Sequence, residues 1–350
     1  MTELRLQGAI CPAPLRPEER VILGHGSGGV LSRDLLQRLF LPGLGEAAPS
    51  SLDDAAVLET GGQRLAMTTD SHVVTPLFFP GGDIGRLAVC GTVNDLAMVG
   101  AQPIALTCGF VLEEGLPFDV LRGVVASMQA AAQEAGVRIV AGDTKVVQRG
   151  SADQLFINTS GLGTVAEGVH ISGANAQPSD VIIISGTIGD HGIAVLSARE
   201  NLGFETRLES DVAPLNHLVE AMLAAGEVHV LRDPTRGGLA TSLVEIAEQS
   251  QAVIELNEER LPFKPAVKAA CELLGFDPLF VANEGKLVAF VKEGDAEAVV
   301  AAMRQTQYGK DAAIIGRVTG TEKAQVLLRT AIGGARLVDM LPGEMLPRIC

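Results

Sequence analysis

Apolar runs broken by short glycine- and aspartate-bearing stretches extend along most of the chain, and their spacing predicts a mixed α/β protein of the α+β class. Leu31, Leu35, Leu36 and Leu39 fall on one helical face just after a glycine loop. A strand over 65–70 ends in Asp70, and 83–99 reads as a helix closed by Gly100 that carries Asn94 and Asp95 among apolar and small residues. A strand over 104–112 precedes a helix that Pro117 starts and Gly136 stops. The strand over 137–140 then delivers Gly142, Asp143, Thr144 and Lys145 into a turn, and further strand pattern covers 154–163.

The second half opens on the buried-type strand 181–184 and a glycine turn over 185–192. Helices are expected at 193–202, 214–225, 239–249, 265–274 and 295–306, alternating with strands at 252–256, 287–291 and 312–319 and final strands over 322–339. The expected organisation is a proline-bearing arm (1–20), an N-terminal domain (21–169), a junction near 170–180, a C-terminal domain (178–339) and a tail (340–350). Pro342 and Pro347 lack an N–H and cannot continue a helix or sit inside a sheet, so the tail is expected to be an extended, mobile arm. Extended backbone places Arg348 on the same side as Cys350, whose thiol then becomes an accessible sulfur on that arm.

Composition narrows the functional classes. A net charge of −15 argues against nucleic acid, whose phosphates call for a basic surface, and aromatic content of 3% leaves little for base stacking. The five cysteines are scattered with no C-x-x-C spacing, which suggests neither a disulfide framework nor a zinc site. No signal peptide or transmembrane run is evident, so a reducing cytoplasm is the expected location, with no membrane partner.

Candidate chemistry lies in the breaks. Gly24-His25-Gly26-Ser27-Gly28-Gly29 opens a helix, where backbone N–H groups suit an anion. Gly24, Gly26 and Gly29 satisfy a dinucleotide fingerprint literally, but no second parallel strand ends in the required acid. Arg232-Asp233-Pro234-Thr235-Arg236-Gly237-Gly238 is a second glycine-rich helix entry. Asp53, Asp54, Asp70, Asp95 and Asp143 stand at strand ends or within an apolar helix, where unpaired charge is costly. Any one of them suits a turn or cap; together they suit an oxygen-rich Mg²⁺ site, with Lys145 as a point charge for phosphate. Glu284 and Lys286 occupy a turn before a strand, as a site carboxylate or an exposed ion pair.

The motifs GHGSGG, LDDAAV, TTD, VNDLAMVGAQP, GDTKVV, GTIGDHG, RDPTRGG, NEGK and the final PRIC occur in order along nearly the full chain. Together they closely resemble the carbamoyl dehydratase HypE family of hydrogenase maturation factors, within the PurM and selenophosphate synthetase superfamily. That resemblance implies a PurM-like two-domain fold, a homodimer whose N-terminal sheets pair into a barrel, and ATP in the cleft near that interface. It implies that a carbamoyltransferase, HypF, loads a carbamoyl group onto Cys350. ATP-dependent dehydration to a thiocyanate follows, and the cyano group passes to iron on the HypC–HypD complex.

On this reading Asp53, Asp54, Asp70, Asp95 and Asp143 hold Mg²⁺ with ATP. Gly26, Ser27, Gly28, Gly29, Asn94, Asp143, Thr144 and Lys145 contact the nucleotide, with Lys145 also counted as catalytic. Glu284, or a histidine such as His25 or His191, takes the proton. A selenophosphate synthetase would use an N-terminal Cys such as Cys11 with a nearby lysine, yet no lysine precedes Lys145. A non-enzymatic thiol carrier is the alternative from another class.

Overall fold

The computed structural model describes residues 20–47, 51–202, 208–341 and 349. Cys11 and the rest of the expected arm up to residue 19, the tail residues 342–348 with Arg348, and Cys350 lie outside the described residues.

Among the described residues, the first half builds a five-stranded sheet from β1 (Ala56–Thr60), β2 (Gln63–His72), β3 (Ala101–Glu113), β4 (Arg138–Val147) and β5 (Leu155–Val165). The spatial order is β1-β2-β5-β3-β4. Only β3 and β4 pair in parallel, and the helix Phe118–Ala135 makes the crossover that a parallel pair requires. Gly136 ends that helix at φ +72°, a left-handed turn that favours glycine. The stretch Gly142–Lys145, expected in a turn, continues β4 instead: its alternation of small and polar residues still pairs along β3 from Cys108 to Val111.

Between this sheet and the second domain runs the helix Ile84–Met98, capped by Asp83, whose Oδ1 accepts from the N–H groups of Gly85 (2.7 Å) and Arg86 (3.2 Å). Every residue of this helix is buried except Arg86 and Asp95. A helix apolar on all sides is one covered on all sides, and Ala97 and Met98 pack among Val181, Ile183 and Leu215 of the second domain.

The second domain holds a sheet that is seven-stranded among the described residues. Its strands are β6 (Val181–Ile184), β7 (Val228–Arg232), β8 (Val253–Asn257), β9 (Val288–Val291), β10 (Ala313–Gly320), β11 (Gln325–Arg329) and β12 (Ala335–Val338). They lie in the order β12-β11-β8-β10-β6-β9-β7. Helices Asp190–Glu200, Asn216–Ala225, Gly238–Ser250, Pro265–Leu274 and Ala296–Arg304 follow the periodicity of the sequence closely. None of the described helices is long and apolar enough to cross a membrane.

The segment after the glycine loop leans on the second domain. Val30 N–H donates to Leu341 O at 3.0 Å, and Arg33 pairs with Glu248 at 2.9 Å. Gly28, at φ +78°, lies so close to Arg236 that a Cβ would meet its carbonyl oxygen at 2.7 Å. The two glycine-rich loops therefore abut.

Candidate active site

Each acid of the site reaches it from a different element. Asp54 lies in the loop entering β1, Asp95 on the buried helix and Asp233 just beyond β7, and one carboxylate oxygen from each lies within 4.8 Å of the others. Thr68 on β2 ties two of these together: its hydroxyl lies 2.7 Å from Asp95 Oδ2 and 3.0 Å from the carbonyl of Asp54. Arg232 Nη1 donates to Asp54 Oδ1 at 2.9 Å and so supports one member of the cluster.

Burial and mutual repulsion oppose ionisation. Burial first, then the facing carboxylates, pushes Asp95 and Asp233 well above the usual carboxylate range, and burial raises Asp54 to about 6 even with Arg232 beside it. Three converging carboxylates that repel one another form a donor set suited to a hard divalent cation such as Mg²⁺, which would relieve that repulsion.

Asp70 stands near this cluster, opposing ionisation of Asp95 and Asp233, and its Oδ2 lies 3.5 Å from His72 Nε2. Gly91 of the buried helix makes room for that pair, since a Cβ there would sit 3.0 Å from the His72 ring and 3.2 Å from Asp70 Oδ2. Asp53 is engaged elsewhere. Its carboxylate accepts from Gly173 N–H (2.8 Å) and Ser172 Oγ–H (2.9 Å), tying the β1 entrance to the interdomain segment.

The pleat decides where Asp143 falls. Asp70, Thr159, Cys108 and Gly142 stand opposite one another across β2, β5, β3 and β4 on the helix-covered face. The next row, Ser71, Asn158, Gly109 and Asp143, belongs to the other face. Asp143 is exposed there, held by Thr144 N–H at 2.8 Å and by the Lys145 ammonium, which keeps its carboxyl below the usual range. Thr144 and Lys145 are likewise exposed on this strand.

Asn94 secures backbone. Its Nδ2 donates to the carbonyls of Ala213 (3.1 Å) and Glu284 (3.2 Å), and its Oδ1 accepts from Leu215 N–H (2.8 Å), so its amide joins the two domains. In the glycine loop, Gly28 N–H donates to Ser32 Oγ (2.9 Å), Ser27 Oγ–H donates to the carbonyl of Gly24 (2.8 Å), and Gly26 O accepts from Arg236 (3.2 Å). Gly29 provides the extended N-cap of helix Val30–Leu35.

Of the three expected proton acceptors, His25 Nδ1 accepts from Ile22 N–H at 3.0 Å, and both ring nitrogens of His191 are hydrogen-bonded within the protein. Glu284 differs. It is buried, and among the described residues its Oε1 has no hydrogen-bond partner. Burial, reinforced by Asp233, Asp70 and Asp211, holds its carboxyl well above the usual range. A buried carboxyl whose ionisation nearby acids oppose is a group poised to exchange a proton.

Residues 52–165 match the AIR synthase related protein, N-terminal domain, and residues 177–329 match the corresponding C-terminal domain. The carbamoyl dehydratase HypE of Cupriavidus necator is 53% identical over 333 residues, covering 95% of each chain. The chain belongs to the carbamoyl dehydratase HypE family. The crystal structure of a HypE–HypF complex superposes with a TM-score of 0.84 at 52% identity, covering 88% of this chain and 99% of that one. A HypE solved in complex with ATP superposes at 0.80 and 52% identity, covering 95% and 100% of the two chains. The mixed two-domain PurM-like fold anticipated from the sequence is thus the fold of HypE structures.

Asp233 and its neighbour Arg232, which join and support the carboxylate cluster, stand in the RDPTRGG stretch, whose local pattern reads as a glycine loop. The available signal is a charged pair immediately after the strand pattern Val228-His229-Val230-Leu231, as Asp70 ends its own strand pattern.

Proposed function

We propose that this protein is an ATP-dependent carbamoyl dehydratase that acts on a carbamoyl group carried by its own Cys350, and so supplies the cyano ligand during [NiFe]-hydrogenase maturation. The observation that carries this reading is a three-carboxylate cluster, Asp54, Asp95 and Asp233, whose Asp233 acts electrostatically on a buried Glu284 with an oxygen that has no partner among the described residues, in a chain of the HypE family.

The carboxamide oxygen is a poor leaving group, so it attacks the γ-phosphorus of ATP: the new O–P bond forms, the bond to ADP breaks, and one N–H proton is lost. The second N–H proton then leaves as the C–O bond breaks. The oxygen departs within phosphate, and C≡N remains on sulfur. Glu284 is the acceptor for a proton in this sequence, its raised proton affinity matching the task. Asp54, Asp95 and Asp233 would hold Mg²⁺, with Asp70 nearby; the ion when bound supplies charge neutralisation for the phosphates. Thr68 and Arg232 orient these acids before any ligand arrives.

Asp143 and Lys145 share the open face of the first sheet with Leu58, Met67 and Leu162, which are 53%, 53% and 39% exposed. Pairing this face with a second copy would cover the apolar residues and bring Asp143 and Lys145 into a shared cleft, where Lys145 would act on phosphate charge. A HypF-type carbamoyltransferase loads Cys350, and a HypC–HypD complex receives the cyano group. Cys90, Cys108 and Cys271 are free and buried, in keeping with a reducing cytoplasm.

ATP hydrolysis tests the enzyme against the carrier reading. Hydrolysis is expected only once Cys350 is carbamoylated, with one phosphate released per group; phosphate release that ignores the state of Cys350 would refute the coupling.

A further inference from the structure

Ile349 is bonded directly to Cys350 and is buried in the fold. Its side chain is 3% exposed and packs in a cluster shared by Val74, Leu77 and Phe79 of the first domain and Val195, Val212 and Ala282 of the second. Its carbonyl oxygen lies 2.7 Å from His191 Nε2. The other ring nitrogen, Nδ1, lies 2.8 Å from Ser210 Oγ, which itself accepts from Val212 N–H at 3.1 Å. A carbonyl oxygen can only accept, so His191 Nε2 carries the proton and donates it to Ile349 O, and Nδ1 of the neutral ring accepts from the Ser210 hydroxyl. Phe79 stands edge-on to the imidazole at 5.5 Å and 88°.

The next residue of the same loop holds the other partner of the reaction. Asp211 Oδ1 accepts from the backbone N–H of Glu284 at 3.0 Å. Gly192, beside His191, donates its N–H to the carbonyl of Ala282, two residues before Glu284, at 3.0 Å. Ser210 is fixed in turn by its N–H bond to Pro80 O at 2.8 Å. Consecutive residues, Ser210 and Asp211, thus set the tail's carbonyl and the buried carboxyl in one frame.

We propose that His191 is a positioning residue for the dehydration step: it grips the peptide that leads into Cys350 and, through Ser210 and Asp211, registers the carbamoylated sulfur against Glu284. The Ile349 side chain is the anchor that seats this peptide, and His191 sets its depth and direction. The inference rests on the dehydratase reading above.

The test uses full-length protein loaded on Cys350 by a carbamoyltransferase with carbamoyl phosphate, followed by one turnover with ATP and Mg²⁺ monitored by intact mass. His191→Phe keeps an aromatic ring and removes the donor; His191→Gln keeps a donor at the same reach. Loss of one hydrogen bond to an otherwise buried carbonyl predicts that His191→Phe slows dehydration by about tenfold or more, while loading rate and ATP affinity stay at wild-type values. His191→Gln recovers most of the rate. Ser210→Ala, which removes only the hydroxyl that orients the ring, slows the same step by about threefold or more and serves if His191→Phe fails to fold.

Wild-type dehydration by His191→Phe or Ser210→Ala, or an equal fall in loading, ATP affinity and dehydration, overturns the positioning role alone. A loaded wild-type chain that never dehydrates overturns the dehydratase reading beneath it.

Discussion

Arg232 and Asp54 meet at 2.9 Å across the junction of the two domains, each side chain only about a tenth exposed. The pair places a fixed positive charge behind one member of an acidic cluster and links β7 to the entrance of β1. Removing one partner of a buried ion pair leaves the other stranded, although Asp54 can answer by taking a proton. Arg232→Met is therefore expected to destabilise the folded protein by about 3 kcal/mol in urea unfolding, while Arg232→Lys recovers part of the loss.

Asp95→Asn keeps the shape and retains an oxygen for the Thr68 hydroxyl. It removes one of the charges that repel each other at the cluster. The nucleotide-free variant is expected to melt at or above the wild-type temperature, yet to lose the Mg²⁺-dependent part of ATP binding and slow dehydration by about a thousandfold, the scale of a lost transition-state charge contact. Thermal melts with and without Mg²⁺, together with calorimetric titration of ATP, check both halves of this expectation. Carbamoylation of Cys350 should proceed normally, leaving a loaded tail.

The proposed role of Glu284 as proton acceptor predicts a pH dependence. Burial and then Asp233, Asp70 and Asp211 raise its folded-state affinity for a proton, with Arg236 partly offsetting them. An acid whose pKa is higher folded than unfolded binds more protons in the folded state between those two values, so its contribution to stability falls as pH rises through that window. Its base form is populated only toward the upper end. Single-turnover dehydration should therefore rise with pH along an acid limb lying above the ordinary carboxylate range. Glu284→Gln should abolish that limb, slow the step by about a hundredfold to ten-thousandfold, and melt higher than wild type at alkaline but not at acidic pH.

The open face of the first sheet gives a prediction about assembly. Met67→Lys together with Leu162→Lys places like charges opposite one another on β2 and β5. Sedimentation should show wild-type dimers and variant monomers, with dehydration lost in proportion if Lys145 works across the shared cleft.

Much of this architecture was legible from periodicity. The helix over Ile84–Met98, the crossover helix Phe118–Ala135 with its glycine stop, and the buried strand Val181–Ile184 all follow from local pattern and punctuation. Long-range pairing was not legible. Asp54, Asp95 and Asp233 converge although far apart in sequence, and nothing local distinguishes Asp54, which joins the cluster, from Asp53, which turns to Ser172 and Gly173. Asp143 stands in the row next to that of Asp70, and a single step along a strand reverses the face. Asn94 is polar in an apolar helix, and no local signal announces the partners it meets there, the carbonyls of Ala213 and Glu284 and the N–H of Leu215 on the other domain.

Intact-mass analysis before and after ATP addresses the central claim most directly. Incubated with the carbamoyltransferase, carbamoyl phosphate and ATP, the full-length protein should first gain the mass of one carbamoyl group and then lose that of one water, with fragmentation placing both changes on Cys350; Cys350→Ala should show neither change while still binding ATP. A carbamoyl mass that persists undiminished in the presence of ATP and Mg²⁺, or a dehydrated group found on any other residue, would contradict the account.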